Sequence, residues 1–148
     1  MPTNEEIIRQ VYEAAEASVR DTAKFISLFA EDGYFLDVPS GNRWVGSDVG
    51  QPVEALFVAF PDMHRELLQI HAMGDVVVVE LRLQGTHKGE FHIAGGVLPA
   101  TGRTFDAPCC DVFRLKDGKV AEFRCYNDVS TWLDDLGALH DLDAQLLT

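Results

Sequence analysis

The 148-residue chain is short of positive charge: 12 Lys and Arg stand against 24 Asp and Glu, a formal net charge of −12. Such a surface repels phosphate backbones and anionic headgroups, so neither nucleic acid nor a membrane is an expected partner. No apolar run is long enough to cross a bilayer. Met1-Pro2-Thr3-Asn4-Glu5-Glu6 has neither the basic nor the apolar region of a secretory signal, so a cytoplasmic location is expected. Cysteine is scarce, with three in all. Cys109 and Cys110 are adjacent on an expected strand, where their side chains point to opposite faces and do not readily bridge; they read as buried free thiols in a reducing compartment. The histidines are few and scattered. His64, His71 and His140 stand singly, and His87 and His92 fall on opposite faces of one unbroken strand, so no metal site is expected. Gly95-Gly96 follows no strand-to-helix transition and is read as a flexible loop, not a phosphate cradle. There is no repeat, low-complexity tract or linker, which leaves a single domain over residues 1–148.

What is present is the composition of a globular domain, 47% apolar and 24% charged. Thr3 and Glu6 form a capping box ahead of Ile7, Ile8, Val11, Ala14 and Ala15 at helical spacing, which predicts a helix from about Asn4 to Val19. Asp21 is a second N-cap candidate, with Phe25, Leu28 and Phe29 on one face until Asp32-Gly33. Tyr34–Val38 and Arg43–Val45 read as a short hairpin around Pro39-Ser40-Gly41-Asn42. Ser47 then caps a third helix, with Pro52 in its first turn and Val49, Val53, Leu56, Phe57 and Phe60 on its buried side.

The remainder reads as antiparallel strands. Val77, Val79, Leu81 and Leu83 alternate with Glu80, Arg82 and Gln84, a half-buried pattern whose parity carries His87 onto the apolar face. Turn signals at Gly85–Gly89, Pro99–Arg103 and Asp117-Gly118-Lys119 divide the stretch from Gly85 to Asp128 into strand-forming runs, and a short helix follows with Val129, Trp132, Leu133, Leu136 and Leu139. The layout predicts an α+β fold in which a strongly curved, mostly antiparallel sheet wraps over helices as a cone with an apolar pocket at its open end.

Several residues have both a structural and a chemical reading. Asp128 is the N-cap of the last helix, or a carboxylate whose pKa an apolar pocket raises toward working pH for general acid/base chemistry. Asp37 is a pocket base or an exposed strand-end carboxylate. His87 polarises a carbonyl or is a hydrogen-bonded turn histidine. Asp111, alternating with Cys109 and Phe113, faces inward and then needs a donor such as Arg124 or Tyr126. Trp44, Phe57, Phe60 and Trp132 line a pocket for a flat ligand or form plain core, and Tyr126 is a further substrate-binding candidate.

Phe60-Pro61-Asp62-Met63-His64, Gly85-Thr86-His87-Lys88-Gly89, Pro99-Ala100-Thr101-Gly102-Arg103, Asp111-Val112-Phe113-Arg114 and Asp117-Gly118-Lys119-Val120-Ala121-Glu122 stand in one order. Together they resemble the SnoaL-like polyketide cyclase family of the NTF2-like superfamily. The resemblance implies a cone-shaped barrel, a homodimer or higher oligomer, and aldol ring closure on a hydrophobic carbonyl-bearing small molecule with neither metal nor cofactor. It places the catalytic acid/base at Asp128; His87, on the apolar face, is the residue that could orient it. Ketosteroid isomerase relatives carry their base on an early strand, at the position of Asp37. In the related limonene epoxide hydrolases an aspartate stands where this chain has Cys125, and a thiol does not replace a carboxylate that activates water. Two other functions fit the same fold: a non-catalytic small-molecule binder, and a dehydratase using a His/Asp pair.

Overall fold

The structure, a computed structural model, describes residues 1–93 and 95–139. Helix α1 (Asn4–Ala15) opens with the capping box in place: the Thr3 side chain accepts from the Glu6 amide and the Glu6 carboxylate accepts from the Thr3 amide. It stops at Ala15, four residues before the predicted end, and buries Ile7, Ile8, Val11, Tyr12, Ala14 and Ala15. Helix α2 (Thr22–Ser27) is capped by Asp21 as expected. It is shorter than its apolar spacing implies, because Phe29 begins strand β1 (Phe29–Asp37), which returns through a tight turn to β2 (Asn42–Val45). Backbone pairing with the C-terminal strand takes Phe29 away from the helix; Phe29 lies opposite Val120.

Ser47 does not cap the next helix. Gly46–Gly50 form a 3₁₀ turn without a side-chain cap, and α3 (Gln51–Ala59) starts after it with Pro52 in the first turn. Strands β3 (His64–Met73) and β4 (Val76–Thr86) follow, then a small hairpin, β5 (Phe91–Ile93) with β6 (Gly96–Leu98), then β7 (Thr104–Lys116) and β8 (Lys119–Asn127), and finally α4 (Val129–Asp135). Gly95 and Gly96, both at positive φ, turn the β5–β6 hairpin.

Six strands form one sheet in the order β2-β1-β8-β7-β4-β3. Every pair in it is antiparallel except β1 with β8, so the two chain ends of the sheet meet at its middle. The period-two pattern decides its faces. Val77, Val79, Leu81 and Leu83 of β4, with Phe105, Ala107, Cys109, Asp111, Phe113 and Leu115 of β7, are all buried on the inner, helix-covered side. Cys110 and Tyr126 point outward. The mixed α+β architecture and the curved, unclosed sheet are those expected for a cone. Among the described residues no helix is long and apolar enough to cross a membrane.

One junction ties the top of the cone together. The backbone amides of Lys88 and Gly89 both donate to the Ala59 carbonyl at the end of α3. A Cβ on Gly89 would lie 2.1 Å from the Val58 carbonyl oxygen, so only glycine lets the loop come this close. Gly89→Ala should therefore cost about 1–3 kcal/mol, read as a lowered urea midpoint with an unchanged m-value.

Candidate functional site

The ordered motifs of the sequence converge in space, and their first role is structural. Thr86 donates through its amide and its hydroxyl to the two oxygens of Asp62, each at 2.7 Å. Burial opposes ionisation of that carboxylate, but the two hydrogen bonds outweigh it and hold the pKa below the usual range. His87 is completely buried. Its amide donates to the Arg103 carbonyl, its carbonyl accepts from Gly102, and its Nδ1 lies 3.2 Å from the Thr101 amide and 3.0 Å from Thr101 Oγ1. Since an amide N–H points at Nδ1, that nitrogen accepts and the neutral ring carries its proton on Nε2. Nε2 faces an aromatic nest. Phe60 lies between the rings of His87, Phe91, Phe105 and Trp132 at centroid distances of 5.4, 5.0, 4.7 and 5.5 Å. Trp132 of α4 stacks on Phe105 at 4.4 Å. His87 Nε2 and Trp132 Nε1 have no hydrogen-bond partner among the described residues.

Asp128 is the N-cap of α4. Its carboxylate accepts from the Thr131 amide at 3.1 Å, the Thr131 hydroxyl at 2.7 Å and the Ser130 hydroxyl at 2.8 Å. The Thr131 hydroxyl and amide, then the Ser130 hydroxyl, pull its pKa below the usual carboxylate value. That is opposite in direction to what an acid/base in an apolar pocket needs. Because the folded value lies below the unfolded one, the cap contributes above the ordinary carboxylate range and is lost as pH falls through the depressed value. The structural reading of Asp128 thus describes its contacts. Asp128 bonds within its own turn, while the hydrogen bonds of the His87 ring run across to Thr101 of the 99–103 loop and not to a carboxylate.

A different set of polar groups is gathered on the inner face of the sheet. Asp37 ends β1 on the side of Phe35, which stacks on Phe123 at 4.2 Å and meets the edge of Trp44 at 5.7 Å. Asn127 Nδ2 donates to Asp37 Oδ1 at 2.7 Å and lies 3.5 Å from Cys125 Sγ. Cys125 Sγ is 3.7 Å from Cys109 Sγ, and Cys109 Sγ is 3.3 Å from Asp111 Oδ1. Asp111 Oδ2 accepts from Tyr12 Oη at 2.6 Å. An unbroken line of polar contacts therefore runs from half-buried Asp37 down to the fully buried Tyr12–Asp111 pair.

The electrostatics of this line follow from its burial. Desolvation holds the Asp111 carboxyl above the ordinary aspartate pKa, although the hydroxyl of Tyr12, the two thiols and Arg65 pull the other way. Burial, and then the charge of Asp111, push the Tyr12 phenol up. The hydrogen bond to Cys125 and burial push the Cys109 thiol up. For Cys125 the hydrogen bond from Cys109 lowers the value, but desolvation and Asp111 prevail and it too is raised. Arg65 reaches the region from β3, where its guanidinium donates to the Ala15 carbonyl at 2.7 Å and its amide to Glu16.

Of the aromatic candidates, Trp44 lies on β2, edge-on to Phe35. Phe60 is the hub of the nest. Phe57 is buried under the Arg20 guanidinium, 5.3 Å from the ring centroid. Tyr126 lies on the outer face, 45% exposed, so it does not share a face with Asp111. There it lines an open groove of about 460 Å³ with Leu68, Pro108 and Cys110. The donor to Asp111 is therefore neither Arg124 nor Tyr126; Arg124 bonds to Tyr34. Tyr12 is the residue that sequence reasoning missed. The available signal was a hydroxyl-bearing side chain on the otherwise apolar stripe of α1. Cys110 is half-buried, not fully buried as expected. His140 lies outside the described residues.

The fold matches known proteins. A proposed SnoaL-like polyketide cyclase of Jannaschia sp. CCS1 superposes with a TM-score of 0.78 at 23% identity, covering 93% of each chain. IdmH, a proposed polyketide cyclase from Streptomyces antibioticus, gives a TM-score of 0.76 at 25% identity over 92% of this chain and 99% of its own. A protein of ketosteroid isomerase-like fold from Catenulispora acidiphila, crystallised with trimethylamine, gives 0.76 at 19% identity over 99% and 100%. No curated protein is a significant match. A family profile described as SnoaL-like polyketide cyclase matches residues 6–136, and the chain belongs to that family.

Proposed function

We propose that this protein is a cofactor-independent acid–base enzyme that moves a proton on carbon next to a carbonyl of a hydrophobic small molecule, as an aldol cyclase or isomerase does. The observation that carries the reading is the line of polar contacts on the inner face from Asp37 to the Tyr12–Asp111 pair. In this reading Asp37 is the base. It stands half-buried at the end of β1, oriented by Asn127 and by the Ser40 hydroxyl, with Phe35 and Trp44 offering a flat apolar wall to the substrate.

The chemistry balances without an external reagent. Asp37 takes a proton from the carbon beside the carbonyl, and the electron pair of that C–H bond becomes an enolate whose oxygen carries the charge. The Tyr12 hydroxyl, held by Asp111 and buried where water does not screen it, turns to supply hydrogen-bond donation to that oxygen. The enolate carbon then attacks a second carbonyl, or is reprotonated elsewhere, and Asp37 returns its proton to the alkoxide or carbon. Family membership supports the cyclase branch. Asp128 holds α4 over the cone, and His87 holds the loop that closes its top. The reading is completed by action in the cytoplasm as a homodimer.

Proton abstraction is testable before the substrate is known. A panel of hydrophobic diketones and aryl ketones incubated with the protein in D₂O should gain deuterium at the carbon beside the carbonyl, read by mass spectrometry. The enrichment should exceed the buffer rate for at least one compound class. Uniform buffer-rate exchange, together with ligand binding unaffected by Asp37→Asn, would instead establish the non-catalytic binder.

A further inference from the structure

The histidines of this chain do not gather, but two cysteines and an aspartate do. Cys109 and Asp111 lie two apart on β7 and so share its inner face, while Cys125 pairs opposite Asp111 on β8. All three are buried, and one ligand atom from each falls within 4.8 Å of the others. The spacings are informative. A tetrahedral zinc ion with Zn–S of about 2.3 Å and Zn–O of about 2.0 Å sets an S···S edge of about 3.8 Å and an S···O edge of about 3.5 Å. The Cys109–Cys125 and Cys109–Asp111 separations are 3.7 and 3.3 Å. Two of the three edges thus already stand at about the lengths of a zinc polyhedron, and the third lies within 4.8 Å.

We infer that Cys109, Cys125 and Asp111 form an interior site for a thiophilic divalent cation of the zinc type. Two thiolates and one carboxylate match such a cation and not magnesium or calcium, which take oxygen ligands. On binding, each S–H bond gives its proton to solvent and is replaced by an S–metal bond. Asp111 supplies one oxygen, and the fourth position is left to water. Affinity therefore rises with pH. The site stands without the proposed reaction, but it shares Asp111 with it. With Oδ1 on the cation and Oδ2 still accepting from Tyr12, the metal's charge draws on the carboxylate that the reaction uses, so the metal-loaded form is the less active one.

Cobalt and cadmium are suitable probes because thiolate ligation gives each a charge-transfer absorption in the ultraviolet. The full-length protein, reduced and treated with chelator, is titrated with each ion. One cation per chain, with the thiolate band and a raised melting temperature, is the expected result. Cys109→Ser and Cys125→Ala should each lose most of the band, and Cys110→Ser, on the outer face, should keep it. Circular dichroism checks that the variants fold. If one of them does not, Asp111→Asn serves in its place and should weaken binding at least tenfold while leaving the thiols intact. Absence of a band at saturating cobalt and cadmium, or a band that survives Cys125→Ala, would overturn the site. Tyr12→Phe separates the two ideas: it should keep the band while lowering turnover.

Discussion

Replacing Phe60 with alanine should destabilise the protein by about 3–5 kcal/mol, the range for truncating a buried phenylalanine, and so remove a large part of a typical stability of about 5–15 kcal/mol. The size follows from position. Phe60 is completely buried and touches five distinct parts of the chain. It follows α3, donating its amide to the Leu56 carbonyl; it packs on His87 of the motif loop, Phe91 of β5, Phe105 of β7 and Trp132 of α4. Removing the ring leaves a void beside His87 and Trp132, whose Nε2 and Nε1 have no partner among the described residues. The neighbours do not collapse easily into it, because each is anchored elsewhere: His87 by Thr101, and α4 by the Asp106 amide donating to Asp135. Urea denaturation should show the midpoint falling with the m-value unchanged, and Phe60→Leu should recover more than half of the loss. A cost below about 1 kcal/mol would mean that the nest is loosely filled.

This nest also explains what the sequence motifs encode. Gly85 is flanked by Phe60 and Phe105, each 3.1 Å from where its Cβ would stand. Thr86 locks Asp62, His87 locks Thr101, and Gly89 abuts Val58. The family signature is thus a packing device that seats α3, the loop from Pro99 to Arg103 and α4 on the top of the sheet. That is why the fold was legible from ordered short motifs.

Much of the secondary structure was legible for simpler reasons. The period-two pattern from Val77 to Leu83 and the capping box at Thr3 are local signals, and the structure keeps them. Phe29 was misread because its helical spacing is local, whereas its pairing with Val120 joins residues far apart in sequence. The site was less legible. The contacts of Asp128 are those of a helix cap. Tyr12 and Asp111 come from the first helix and the seventh strand, and no spacing within either segment reveals that their oxygens meet at 2.6 Å. The Cys109/Asp111/Cys125 cluster was hidden in the same way, since strand pairing, not sequence spacing, brings Cys125 to Asp111.

The sharpest contrast for the proposed reaction lies between two aspartates. On any compound that the exchange assay identifies, Asp37→Asn should lower kcat by about 10²–10⁴, the usual contribution of a positioned general base. Asp128→Asn should leave kcat within a few-fold. Both substitutions keep the fold, for stated reasons. At position 37 the amide oxygen still accepts from Asn127, and the amide NH2 that replaces the second oxygen donates to the Ser40 hydroxyl, which turns to accept. At position 128 asparagine is as good an N-cap as aspartate, so the Thr131 amide keeps its acceptor. The two variants therefore differ in what chemistry they remove and not in what structure they disturb. Tyr12→Phe completes the set. It should lower kcat while leaving KM nearly unchanged, because the hydroxyl acts on charge that exists only as the enolate forms. The reverse outcome, with Asp37→Asn active and Asp128→Asn inactive, would require α4 to unwind from its cap during turnover and would move the base to the C-terminal end of β8.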